Sequence, residues 1–411
     1  MLPSLDGCGG SGGSGLPACG PGCIGGEAPA TYPLSIAVAD VNGDGVPDLL
    51  VATESVDQNG VYRGLADVIL GIGKPPASFA PGVPYYTLGT NPSGIAVTDL
   101  TGSGSLDLVV SDYDGSIAVL LHGAAAGTFE APITVATGGQ PNQLVAGDLT
   151  ASGAKRDLAI ANDIAAGQVI VLVHDAANPG RFQAPLLLPA GNFTTSLAIG
   201  SLGNGTTVIV ATASDVTDDN GVVEIFTETS TSPVAFSAPV SFPAGSQPTR
   251  VKIADVNGDG LPDLIVANYG PGSGGAGEAG VSVLLQDAAH PGSFLAPVTY
   301  AVPYGAEDVA VADLDGDGRP DLVVASIAPS AMNLPNGAVS VLLQNPAPAA
   351  AGAFGAPTVY PGVSSPTSVA IADLNGDGFP DIAVADGPAA TILLQDPGAR
   401  GTFAPPIGVG Y

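Results

Sequence analysis

The chain has 411 residues, with 38 acidic side chains against nine basic ones, a formal charge of −29, 59 glycines, 38 prolines and no tryptophan. So large an acidic excess excludes nucleic acid and anionic membrane surfaces as partners. No apolar run approaches the roughly eighteen residues that a membrane-spanning helix needs.

Residues 1–26 are rich in glycine and serine and hold all three cysteines, Cys8, Cys19 and Cys23. That composition predicts a flexible leader or tether, and the body from 27 to 411 has no disulfide to lean on. Cys8 follows Leu5-Asp6-Gly7 and loosely resembles a bacterial lipoprotein attachment site, which would leave Cys19 and Cys23 to pair across Gly-Pro-Gly. No apolar signal segment precedes Cys8, and incidental cysteines in a disordered leader are the alternative.

The body opens with a short β-branched run, Ile36-Ala-Val-Ala39, then Asp40-Val-Asn42-Gly-Asp44-Gly-Val46-Pro-Asp48, then Leu49-Leu-Val-Ala52. The nine-residue sentence returns at 255–263, 313–321 and 373–381, each time between similar runs. Such runs on both sides of a Gly-rich turn predict a β-hairpin and exclude a helix–loop–helix calcium site. Side-chain oxygens at positions 1, 3, 5 and 9 suit a hard cation, and calcium is preferred over magnesium because the cage is all protein oxygen. The expected side-chain ligands are Asp40, Asn42, Asp44 and Asp48; Asp255, Asn257, Asp259 and Asp263; Asp313, Asp315, Asp317 and Asp321; and Asp373, Asn375, Asp377 and Asp381. Proline at position 8 biases its predecessor toward extended backbone, so the carbonyls of Val46, Leu261, Arg319 and Phe379 are expected to complete the sets.

Alignment on the first loop residue gives Asp40, Asp99, Asp148, Ser201, Asp255, Asp313 and Asp373, spaced by 59, 49, 53, 54, 58 and 60 residues. Each unit adds a third run, such as Val281-Ser-Val-Leu-Leu285, and a fourth after a Phe-x-Ala-Pro signature, as at 129–132 and 294–297. Seven units of four short strands predict an all-β fold, a seven-bladed β-propeller with four-stranded antiparallel blades starting near 33, 92, 141, 194, 248, 306 and 366. Small alanines in each first strand suit a crowded axis. The loops of blades 2, 3 and 4 depart from the pattern: Thr101 and Ser103 between the outer aspartates leave the second with too little charge, the third is one residue longer, and the fourth lacks a closing Asp. Four ions, in blades 1, 5, 6 and 7, are therefore expected.

The loop sentence and the Phe-x-Ala-Pro strand resemble FG-GAP or VCBS-type repeats, a group that includes the integrin α-subunit propeller and seven-bladed mushroom lectins. The resemblance spans roughly residues 27 to 411. It implies a seven-bladed propeller with calcium in the hairpin between first and second strands and, more weakly, an extracellular binding role.

Ligand binding is expected on the end opposite the calcium hairpins, where the longer loops carry Asp57, Asn59, Tyr113, Asp215, Asp218, Asp219, Asn220, Asn268 and Tyr269. Amides, carboxylates and tyrosines suit a glycan or an extracellular protein. His122, His174 and His290 fall at repeat-equivalent turns, and no catalytic constellation stands out, so a non-enzyme is expected. The alternatives are a calcium-dependent polysaccharide-processing enzyme and a self-assembling structural protein. The latter rests on an eighth Ala-Pro copy at 28–29, one more than seven outer strands require. An extracellular or cell-surface location follows from the calcium demand.

Overall fold

Each second strand buries both of its faces. In blade 1 Leu49, Leu50, Val51 and Ala52 have no exposure, and in blade 5 the same holds for Leu264, Ile265, Val266 and Ala267. A sheet with one wet face would alternate apolar and polar residues; continuous apolar runs need a packed neighbour on either side. In the computed structural model of the chain, residues 30–56, 60–73, 77–154, 156–214, 220–270, 279–328, 337–345, 352–387 and 389–409 are described. Cys8, Cys19 and Cys23 lie outside them.

Seven antiparallel sheets succeed one another along the chain, each with its strands in sequence order from the axis outward. The first strands are Ala30–Ala39, Pro92–Thr98, Pro141–Gly147, Leu197–Ser201, Pro248–Ala254, Gly305–Ala312 and Pro366–Ala372. Each packs on the next, and the last packs on the first, so the ring is closed. The described residues contain no helix, and so none long and apolar enough to cross a membrane. Seven core clusters occupy the seven junctions. The closing one joins Ile36, Leu49, Val51 and Ile69 of blade 1 to Ala383, Ile392 and Val409 of blade 7.

The phenylalanine of the Phe-x-Ala-Pro signature, replaced in the last blade by Phe403 of Phe-Ala-Pro-Pro, links blades at their outer edges. Phe129, Phe294, Phe354 and Phe403 meet Tyr85, Phe242, Tyr300 and Tyr360 of the preceding blade edge-to-face, at centroid distances of 5.5, 5.2, 5.3 and 5.7 Å. The backbone N–H of Phe403 also donates to the Tyr360 hydroxyl at 3.1 Å.

Two details differ from the sequence expectation. Blade 4 starts at Leu197, three residues after the expected 194, and its third strand, Asn220–Thr231, is long enough to pair with both Val234–Phe236 and Val240–Ser246. The residues after the eighth Ala-Pro copy begin the innermost strand of blade 1: Ala30, Thr31 and Tyr32 pair with Val56, Ser55 and Glu54. The long second strand, Asp48–Val56, supplies the ladder they occupy.

Candidate functional site

The four complete loops share one hydrogen-bond pattern. Position 1 accepts two backbone N–H groups with its two oxygens: Asp40 from Gly43 and Gly45 at 2.6 and 2.8 Å, Asp255 from Gly258 and Gly260 at 2.7 and 2.8 Å. Asp313 does the same with Gly316 and Gly318, and Asp373 with Gly376 and Gly378. Both glycines of the first loop have positive φ, 76° and 81°, which lets the chain curl around the carboxylate. Position 5 accepts the N–H of position 7: Asp44 from Val46, Asp259 from Leu261, Asp317 from Arg319, Asp377 from Phe379. Position 3 folds inward too, Asn42, Asn257 and Asn375 each accepting the N–H two residues on.

In blade 6, where Asp315 replaces the asparagine, carboxylate oxygens of Asp313, Asp315 and Asp317 all lie within 4.8 Å of one another. Two arginines flank that loop. Arg319 pairs with Asp317, and Arg400 lies over the Phe379 ring, 4.9 Å from its centroid, and against the turn at Gly316. Bare carboxylates this close repel, and an all-oxygen set of carboxylates and amides fits a hard divalent cation.

The closing aspartate has a second task that its sequence position does not disclose. Asp48 is fully buried and accepts the N–H of Val41 at the loop entrance and that of Gly71 beyond the third strand, both at 2.8 Å. Asp263 accepts from Val256 and Gln286, Asp321 from Leu314 and Gln344, and Asp381 from Leu374 and Gln395. The incomplete loops keep it: Asp107 accepts from Leu100 and His122, Asp157 from Leu149 and His174. One carboxylate thus clamps three strands in six blades. Burial pushes Asp48, Asp263, Asp321 and Asp381 up to about 6; the two N–H bonds oppose the rise and the loop carboxylates add to it.

The glutamines after the third strand complete the lock, Gln286, Gln344 and Gln395 donating to the carbonyls of Pro262, Pro320 and Pro380. Their recurrence was the visible sequence signal. His122 and His174 occupy the same place, and His174 Nδ1 lies 2.7 Å from Asp157.

On the opposite end, Asp57, Asn59, Asp215, Asp218 and Asp219 lie outside the described residues, and Asn220 is described only as the start of a strand. Tyr113 bridges blades, its hydroxyl donating to Asp163 at 2.7 Å. Tyr269 occupies the equivalent position and packs against Gly305, where an added Cβ would come within 2.7 Å of the ring. Asn268 is fully buried and donates to Ser282 Oγ at 2.9 Å. The sequence reading passed over a different set: Tyr32, Tyr62 and Tyr86 are exposed at this end of blade 1, with Leu88 beside them in the connection to blade 2. Leu88 is 72% exposed and held at φ 69°, a conformation a leucine rarely adopts. Close by in sequence, Thr87 donates to the buried Asp112 at 2.9 Å, and Asp112 Oδ2 has no hydrogen-bond partner among the described residues.

A family model described as FG-GAP repeat matches residues 32–71 and 365–390, and one described as FG-GAP-like repeat matches 202–266 and 267–324. The chain carries FG-GAP repeats. All four complete loops fall within the matched residues, while the incomplete loops of blades 2 and 3 fall outside. Among solved structures, this FG-GAP propeller is similar to the BP39L lectin from Burkholderia pseudomallei, at 15% identity over 93% of this chain and 99% of that one, with a TM-score of 0.63. It is also similar to BBS1N, solved in complex with ARL6DN, at 12% identity over 91% and 95% with a TM-score of 0.55. The Pseudomonas aeruginosa periplasmic gluconolactonase PpgL aligns at 16% identity over 93% and 97%, with a TM-score of 0.52. At such identities the likeness is one of fold. No curated protein sequence matches the chain significantly.

Proposed function

We propose that this propeller is an extracellular calcium-binding recognition module that takes a glycan, or a glycan-bearing protein, on the end opposite its calcium loops. The observation that carries the calcium reading is the convergence of Asp313, Asp315 and Asp317 within 4.8 Å, in a loop whose hydrogen-bond pattern three other blades repeat. Loops of this charge count match extracellular-type affinities, in the range where calcium outside cells occupies them. The exposed rings of Tyr32, Tyr62 and Tyr86 support the glycan reading, because exposed tyrosine rings are surfaces that sugar rings stack on. The fold likeness to a lectin points the same way and carries no weight for the ligand.

The test is a glycan array probed in about 1 mM calcium and again in EDTA. Binding to a defined glycan class that is lost on chelation, and weakened in Tyr62→Ala, supports the proposal. An array blank in calcium, with the protein folded, removes the glycan reading.

A further inference from the structure

The first strands turn two layers of side chains toward the axis. One layer is polar in six blades, with Ser35, Gln143, Ser196, Arg250, Asp308 and Ser368, and holds Gly94 in blade 2. Two residues further on, six blades place Ala37, Ala96, Val145, Ala198, Ala310 and Ala370, and blade 5 alone places a charge, Lys252. Residues of these layers line a cavity of about 290 Å³. Two of the nine basic side chains of a chain at −29 therefore sit on one strand at the axis.

Neutralising Asp308 does not account for both. Asp308 is nearly fully buried, and Oδ2 already accepts from Ser368 Oγ at 2.8 Å and from the Val369 N–H at 3.1 Å, while Oδ1 accepts from the Val309 N–H at 2.8 Å. Arg250 and Lys252 stand off from it at 3.8 and 3.9 Å, beyond hydrogen-bond length. Arg250 is 8% exposed, so its guanidinium is held largely out of bulk water, and Glu307 is the other carboxylate whose charge it feels. Among the described residues neither cation has an acceptor within hydrogen-bond distance. Gln143 adds an amide whose oxygen is taken by the Leu197 N–H and Ser196 Oγ, leaving its NH₂ as a further donor. The cavity is thus rich in donors that lack acceptors.

We propose that Arg250 and Lys252 hold a small oxyanion, a carboxylate or a sulfate, in the axial cavity. A guanidinium and an ammonium side by side supply the fork and the point charge that such oxygens accept from. Exposed carboxylates elsewhere on the ring are screened over about 8 Å at physiological salt, and the buried Asp308 is already engaged by three hydrogen bonds, so donors at contact distance decide whether the anion stays.

The experiment is calorimetric titration of the calcium-loaded full chain with sodium succinate and, separately, sodium sulfate at constant ionic strength. Saturable binding of at least one anion, about tenfold weaker in Lys252→Met and unchanged in the surface variant Arg181→Met, is the expected result. Which anion binds identifies the source. Lys252→Gln, with the same affinity loss, serves as the second variant should Lys252→Met fold poorly. No saturable heat up to about 10 mM of either anion, or equal affinity in wild type and both Lys252 variants, overturns the proposal.

Discussion

Thr367 Oγ1 donates to the carbonyl of Pro33 at 3.2 Å, a hydrogen bond between the last blade and the first across 334 residues of chain. The same bond recurs at interior junctions: Ser93 to Pro141, Thr195 to Pro248 and Thr249 to Ala306, at 2.8, 2.9 and 2.8 Å. The donors Ser93, Thr249 and Thr367 are the bulge residues of their first strands, and Thr195 stands two residues before the first strand of blade 4. Each acceptor lies in the first strand of the next blade, near its start. Among the described residues blades 1 and 7 each draw all their strands from one end of the chain and exchange none at the closure, so packing plus this bond must seal it. Thr367→Val keeps the volume and removes the donor. It should lower stability by about 1 kcal/mol, and Thr249→Val by a similar amount, in urea unfolding. A far larger loss at Thr367 alone would mean that the closure is the weak seam of the ring.

The clamp separates structure from ligation. Asp157 belongs to a loop without a full ligand set, yet it is fully buried and holds the N–H groups of Leu149 and His174. Asp157→Ala leaves two buried donors unpaired and should cost about 2–4 kcal/mol, equally with and without calcium. Asp44→Ala in blade 1 removes an exposed loop carboxylate and should cost little in metal-free buffer. Denaturation of both variants in calcium and in chelator decides it; a calcium-dependent penalty for Asp157→Ala would contradict the clamp.

Most of the architecture was legible because one anchor position marks every blade, an aspartate in six and Ser201 in blade 4. The anchor residues fixed seven units, and the expected starts at 92, 141, 248 and 366 are the first residues of observed strands. What stayed hidden depended on partners far away in sequence. Asp48 reads as a metal ligand from its spacing, and only the fold brings Gly71, 23 residues on, to its second oxygen. Asn268 and Tyr113 read as ligand-binding loop residues, but the first is sealed inside its blade and the second reaches Asp163 in the next. Lys252 was invisible as an oddity until the bulges aligned it with six small residues.

Asp112 makes a pH prediction. Burial pushes its carboxyl up to about 7, against the Thr87 hydrogen bond and helped by Asp114. Because the folded pKa lies above the unfolded one, folding takes up a proton between about pH 4 and pH 7. The contribution is fully present below pH 4, falls as pH rises, and is lost above about 7. The equivalent residues in blades 3 and 5 are Asn162 and Asn268, both buried, so the fold already accepts an amide there. Asp112→Asn should raise stability at pH 8 by at least about 1 kcal/mol and leave it unchanged or lower at pH 4. Unfolding curves at the two pH values test this; destabilisation at both would show that the carboxylate has an unseen partner.

Calcium removal is the widest test. Thirteen of the 38 acids sit in the four complete loops, and four divalent ions would bring the formal charge from −29 to −21. With a dissociation constant near 0.1 mM and about 1 mM calcium, each site stabilises by roughly 1.4 kcal/mol, and four by about 6. For a body of this size the entropy of unfolding is about 0.8 kcal/mol per degree, so EDTA should lower the melting temperature by roughly 7 °C. Asp259→Ala should remove about a quarter of that shift. Asp99→Ala, in the incomplete loop of blade 2, should remove none, since Thr101 and Ser103 leave that loop without the carboxylate at position 5 that every complete loop has. An unchanged melting temperature in EDTA would mean that the loop carboxylates do for the backbone everything they do.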